Sequence, residues 1–456
     1  MDENALVELG VVEASDLIHA GDITPLELIR ATLSRTEQLN DKLNAYIHLM
    51  PEKALEQAKH ATEAMQRGED WGPLHGIPIA VKDLIDMAGE PTTAGSDFLR
   101  GSIAKEDADV TQRLNSKGAI IIGKTNLHEF ALGVTNINPH FGAARNPWNP
   151  ETSPGGSSGG SGVAVAALMC AAALGTDTGG SVRIPSAVCG VTGIRPGKGR
   201  ISARGVVPLS GTLDTVGPMA RSAQDVALLV DLLDQQPLSP VGCSVRLSEP
   251  VAGLRMGVPT DPYFWRESNV EVASAVRAAI NTLADLGMAQ VDIALPEIEA
   301  ALRASQIIAL TEAAAYHKER LATEPQRFGA DVRSRLEAAA GFSGVDYAQA
   351  RQTGREWRQT LHGFFVNQID VIALPTTSVP ALKIDGLDSV AAGRLMLKFN
   401  YPFSLSGMPA LSMPVGFTQD RLPIGMQLVA PRESTLLQIA HAYQQVIDWH
   451  KRRPSL

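Results

Sequence analysis

Cysteine is scarce: Cys170, Cys189 and Cys243 are the only three in 456 residues. Three thiols at these separations make neither a disulfide framework nor a metal-ligand spacing. Reduced thiols and no cysteine-held metal are therefore expected. Basic residues are not in excess either, and the formal net charge is −9 with no basic block to offset it. That balance argues against a nucleic-acid partner. The longest apolar run, Val163–Leu174, falls short of the ~20 residues that a membrane span needs, so a buried core helix is expected there. The opening residues MDENALVELG carry no basic stretch followed by an apolar one, and the expected location is cytoplasmic. Internal repeats and low-complexity tracts are lacking as well. An apolar fraction of 44% and a charged fraction of 20% leave an ordinary globular chain with material for a large core.

What the chain does contain is glycine and serine concentrated in two loops. One is Pro154–Gly160 (PGGSSGG) and the other is Gly175–Ser181 (GTDTGGS), with the apolar run between them. Ser157, Ser158 and Ser181 stand in these loops as candidate nucleophiles. Phosphate-loop readings fail, because Ser161 stands where a Walker lysine belongs and Val165 takes the third glycine of a dinucleotide fingerprint. Gly123-Lys124-Thr125 lacks the loop that should precede it. A nucleophile elbow of the α/β-hydrolase esterase type, G-x-S-x-G, needs a strand directly upstream. Asn149–Pro154 is too proline-rich to supply it, and this remains the weaker alternative.

Elsewhere the chain alternates strand and helix patterns. Thr24-Pro25-Leu26-Glu27 is a capping box opening an amphipathic helix. Extended segments are read at 44–50, 77–82, 119–122, 188–194, 205–208, 256–258, 289–295, 369–374, 410–417 and 426–429, and helices at 51–67, 109–117, 223–233, 269–286 and 435–450. Residues 296–361 read as mostly helical, and Gln235–Pro250 is the best place for a sub-domain junction. The alternation implies an α/β fold with a single large mixed β-sheet covered by helices on both faces. Lys82 closes the apolar strand Ile77–Val81, where burial could hold an amine neutral and make it a base for a serine.

Gly76–Asp83 (GIPIAVKD), PGGSSGG and Gly175–Arg183 (GTDTGGSVR), in this order and spacing, resemble the amidase signature family, which includes fatty acid amide hydrolase. Gly123–Phe130, Arg145–Trp148, Ile184–Gly193 and Gly407–Gly416 extend the likeness over nearly the whole chain. The resemblance implies one amidase domain over 1–456 with a variable, mostly helical region at about 296–361. It implies a Ser–cis-Ser–Lys triad with Ser181 as nucleophile, Ser157 as bridging serine behind a cis Gly156–Ser157 bond, and Lys82 as base. The N–H groups of Thr178, Gly179, Gly180 and Ser181 would form the oxyanion hole, with Ser158, Asp177 and Arg183 as supports. The implied reaction is hydrolysis of a small-molecule amide C–N bond through an acyl-enzyme with no metal or cofactor, and the family also suggests a homodimer. A second reading within the family is the glutaminase-type component of a tRNA-dependent amidotransferase, which works inside a complex. Pocket walls are expected from the helical region and from the loop Asn126–Asn138.

Overall fold

A computed structural model describes residues 1–235 and 242–456; part of the stretch 235–250 read as a junction thus lies outside the described residues. Among the described residues, eleven strands form one sheet: β1 (Tyr46–Leu49), β2 (Pro78–Lys82), β3 (Ile120–Thr125), β4 (Ala172–Asp177), β5 (Thr192–Arg195), β6 (Thr215–Ala220), β7 (Arg255–Pro259), β8 (Ala289–Ile293), β9 (Val371–Pro375), β10 (Ala410–Phe417) and β11 (Pro423–Val429). Their spatial order is β1-β3-β2-β4-β6-β5-β10-β11-β9-β7-β8. Strand β2 runs parallel to both neighbours, and β7 likewise to β8 and β9. Antiparallel pairs through β6, β5, β10 and β11 join these two parallel patches. The sheet is mixed and helix-covered, as its sequence pattern implies. No helix of the described residues is long and apolar enough to cross a membrane.

The capping box forms as expected: Thr24 Oγ1 accepts from the Glu27 N–H, the Glu27 carboxylate accepts from the Thr24 N–H, and the helix runs Pro25–Leu43. The central apolar run departs from expectation. It is not one helix: the helix Gly159–Ala166 ends at an Ala167 cap, Leu168 takes a left-handed φ of 63°, and the chain re-enters the sheet as β4. A strand buried on both faces reads as an unbroken apolar run, and periodicity alone does not separate it from a buried helix. The segment read as extended at 188–194 is also corrected, because Arg183–Cys189 is a helix and only Thr192–Arg195 is strand. Residues 205–208 form no strand beyond a single bridge from Val206 to Ile85. Strand β6 escapes a reading by pattern because Pro218 interrupts it, and proline ordinarily argues against a central strand.

Candidate active site

Parallel β2, flanked by β3 and β4, delivers Lys82 to its C-terminal end with no solvent exposure. There Lys82 Nζ donates to Ser157 Oγ at 2.7 Å and to Thr176 Oγ1 at 2.8 Å. Burial pushes the Lys82 ammonium down from 10.5 to about 7, against the upward pull of the Asp214 and Asp177 charges. An amine so placed is half neutral near pH 7, which an exposed lysine is not.

The loop before helix Gly159–Ala166 carries Ser157 and Ser158, and the Gly156–Ser157 peptide bond is cis. The Ser157 carbonyl accepts from the His128 N–H at 3.1 Å. Ser158 stitches this loop to the second one. Its N–H donates to the Ser181 carbonyl at 3.2 Å, and its hydroxyl both donates to the Thr176 carbonyl (3.1 Å) and accepts from the Thr176 N–H (3.2 Å).

Ser181 sits between the end of β4 and the start of helix Arg183–Cys189, a strand-to-helix turn. Gly179 and Gly180 permit the turn. Gly180 holds φ at +125°, and a Cβ on Gly179 would stand 2.4 Å from the Tyr401 ring. Beneath it lies a buried ion cluster. Asp177 Oδ1 accepts from the Gly180 N–H and from Arg183 Nη2, both at 2.9 Å, while Oδ2 accepts from Arg183 Nε at 3.0 Å and the Val182 N–H at 3.2 Å. Arg195 adds a contact of 3.3 Å. Burial alone would raise the Asp177 pKa, but the Arg183 and Arg195 charges and these donors outweigh it and hold the carboxyl well below its usual range. Arg183 reaches on to the Asn400 carbonyl, Ser404 Oγ and Gln427 Oε1, so the turn is braced from the C-terminal third of the chain.

The Gly180 N–H is thus occupied by Asp177, whereas among the described residues the N–H groups of Gly179 and Ser181 meet no protein acceptor. Thr178 is fixed by its side chain, which donates to Asp214 Oδ1 at 2.5 Å. Asp214 Oδ2 accepts from the Leu209 and Ser210 N–H groups at 2.9 Å each, and burial pushes its pKa up. Sequence reasoning missed Asp214, since a lone acid after Thr212-Leu213 bears no spacing signal. Lys124, the lysine of the discarded phosphate-loop reading, is buried and paired with Asp83 at 3.1 Å. Among the described residues, no group of three or more His, Cys, Asp or Glu side chains is arranged to hold a metal ion.

Thr178, Gly179 and Ser181 open onto a cavity of about 270 Å³. Its far walls come from the loop carrying Leu132 and Val134 and from the helical region (Leu310, Ala338), where they were expected. Leu209, Arg394, Leu397 and Tyr401, which were not expected there, are also among its lining residues.

The Amidase family model matches residues 27–437. The glutamyl-tRNA(Gln) amidotransferase A subunit of Chloroflexus aurantiacus is 38% identical, over 99% of this chain and 99% of that protein. The solved structure of 6-aminohexanoate cyclic dimer hydrolase is 31% identical with a TM-score of 0.89, covering 98% of this chain and 99% of that one. The peptide amidase of Stenotrophomonas maltophilia is 29% identical with a TM-score of 0.85, covering 98% of each chain. A mixed sheet of this order, with that family match and those neighbours, makes the protein an amide-cleaving enzyme. The chain belongs to the amidase signature family.

Proposed function

We propose that the chain, acting as one domain over 1–456, hydrolyses a carboxylic amide to acid plus ammonia or amine through an acyl-enzyme on Ser181. The observation that carries this reading is the buried 2.7 Å contact between Lys82 and Ser157, at a lysine pushed down to about 7. In its neutral form Lys82 accepts the Ser157 hydroxyl proton as Ser157 accepts that of Ser181. The Ser181 oxygen then bonds to the amide carbon. The Gly179 and Ser181 N–H groups, with that of Thr178, stabilise the oxyanion in a site where preorganised donors are strong. Gly180, its amide held by Asp177, serves the turn rather than the hole. Collapse of the intermediate breaks the C–N bond, and the relay returns the proton to the departing nitrogen. Water, deprotonated along the same path, cleaves the ester and frees Ser181. Ser158, Asp177 and Arg183 position the two loops.

The test is to treat the purified chain with a fluorophosphonate, digest it and locate the adduct by mass spectrometry. An adduct on Ser181 that vanishes in Ser181→Ala is expected; an adduct on Ser157 or Ser158 refutes the assignment.

A second reading, the glutaminase component of a tRNA-dependent amidotransferase, is favoured by the identity to the Chloroflexus aurantiacus protein over 99% of both chains. The two separate on isolation. A free hydrolase releases ammonia from amides unaided, whereas a glutaminase component needs its partner chains.

A further inference from the structure

Tyr401 opens the short helix Tyr401–Ser406 and is 7% exposed, with its ring laid against Gly179. Its backbone is held firmly. Ser305 Oγ donates to the Tyr401 carbonyl at 2.9 Å, and Trp357 Nε1 donates to the next carbonyl, Pro402, at 2.7 Å. Yet among the described residues nothing bonds to its hydroxyl, and Tyr401 lines the same cavity as Thr178, Gly179 and Ser181. The ring is buried, but the hydroxyl is not among the sealed-off unpaired atoms of the core; it faces open space, and a tyrosine with an apolar body and an accessible polar tip is suited to bond whatever enters there. Here the partner's place is the cavity.

The walls narrow what that partner is. Leu132, Val134, Leu310 and Leu397 give an apolar lining, and the charged side chains in it, Arg335 and Arg394, are both guanidinium groups. Arg335 is itself paired with Asp331 at 3.1 Å, and no Asp or Glu is among the described residues that line the cavity, so a ligand carrying an ammonium group beside its amide would leave water with no carboxylate there to receive it. At about 270 Å³ the space falls below the ~300–1,000 Å³ of sites for drug-sized molecules, so a small acyl group fits it.

We infer that Tyr401 is a substrate-contacting residue, its hydroxyl hydrogen-bonded to the reacting amide, and that the cavity takes small apolar amides without an α-ammonium group. This rests on Ser181 being the nucleophile. Its rigid mounting against Gly179 makes the hydroxyl a fixed feature of the wall beside the carbonyl-binding amides.

The experiment uses a matched pair, 4-methylpentanamide and leucinamide, which differ only by the α-amino group. Ammonia release is followed near pH 7 with the full chain and with Tyr401→Phe, which keeps the ring on Gly179. The expected result is a kcat/KM at least tenfold higher for 4-methylpentanamide. Tyr401→Phe should lose about tenfold on that substrate, the scale of one hydrogen bond, with an unchanged thermal midpoint. A Tyr401→Phe enzyme within twofold of wild type, a preference for leucinamide, or turnover of neither amide overturns the inference. Fluorophosphonate labelling, run in parallel, separates the two levels. Ser181 labelled equally in both proteins with unchanged turnover removes only the role of Tyr401. Absence of a Ser181 adduct removes the function on which it rests.

Discussion

Replacing Lys82 by methionine should destroy activity and stabilise the protein, by an amount that depends on pH in a defined way. Lys82 has its pKa lowered on folding, from 10.5 to about 7. Between these values the unfolded chain binds more protons than the folded one, so wild-type stability rises with pH across that window. The burial penalty is complete below pH 7 and gone above pH 10.5. At 1.36 kcal/mol per unit it amounts to about 4 kcal/mol at pH 7 and about 2 kcal/mol at pH 9. Methionine fills a similar volume and does not ionise. It forfeits the bonds to Ser157 and Thr176, but that loss is nearly the same at both pH values and cancels in the difference. The stability of Lys82→Met relative to wild type, from urea unfolding, should therefore be about 2 kcal/mol more favourable at pH 7 than at pH 9. A difference that stays flat between the two pH values, or falls the other way, would show that Lys82 titrates normally and refute its role as a neutral base.

With Lys82 acting as the proposed neutral base, kcat/KM should climb through an inflection near pH 7 and level off above it, measured by ammonia release; a flat profile from pH 5.5 to 9 contradicts this. Arg183→Met removes the two-pronged partner of Asp177 and leaves it Arg195 and two backbone N–H groups, so the cost in urea unfolding should reach about 3 kcal/mol, the low end for breaking a buried pair. Gly180→Ala puts a Cβ at φ +125° and 2.7 Å from the Asn400 Cβ, so activity should drop more than a hundredfold, checked by single-turnover acylation.

The parts of this molecule that read easily are those where one local cause decides. The Thr24–Glu27 capping box and the strand ending in Lys82 announce themselves by residue type and spacing. The two serine loops are legible because glycine at such density has few other uses. What stays hidden depends on distant partners. The switch from helix to β4 after Leu168 is decided by strands β2 and β6 on either side, and nothing in an all-apolar run records them. Pro218 disguises β6 for the opposite reason, a local warning overruled by its place opposite Leu174. Asp214 and Tyr401 reach the site from 33 and 220 positions beyond Ser181, through packing that no motif encodes.

The join between the two parallel patches has a consequence for synthesis. Strand β5 pairs on one edge with β6, which follows it closely, and on the other with β10, roughly 200 residues later. At about 5–20 residues per second, a ribosome leaves that edge of β5 open for roughly 10–40 s. During that interval Arg183 also waits for Asn400, Ser404 and Gln427, so the nascent chain carries a half-braced ion cluster beside an unpaired strand. Such an edge invites pairing with other nascent chains. Fragments released before β10 has emerged should therefore aggregate, and yield in a cell should depend on chaperones that shield the edge until the C-terminal third arrives.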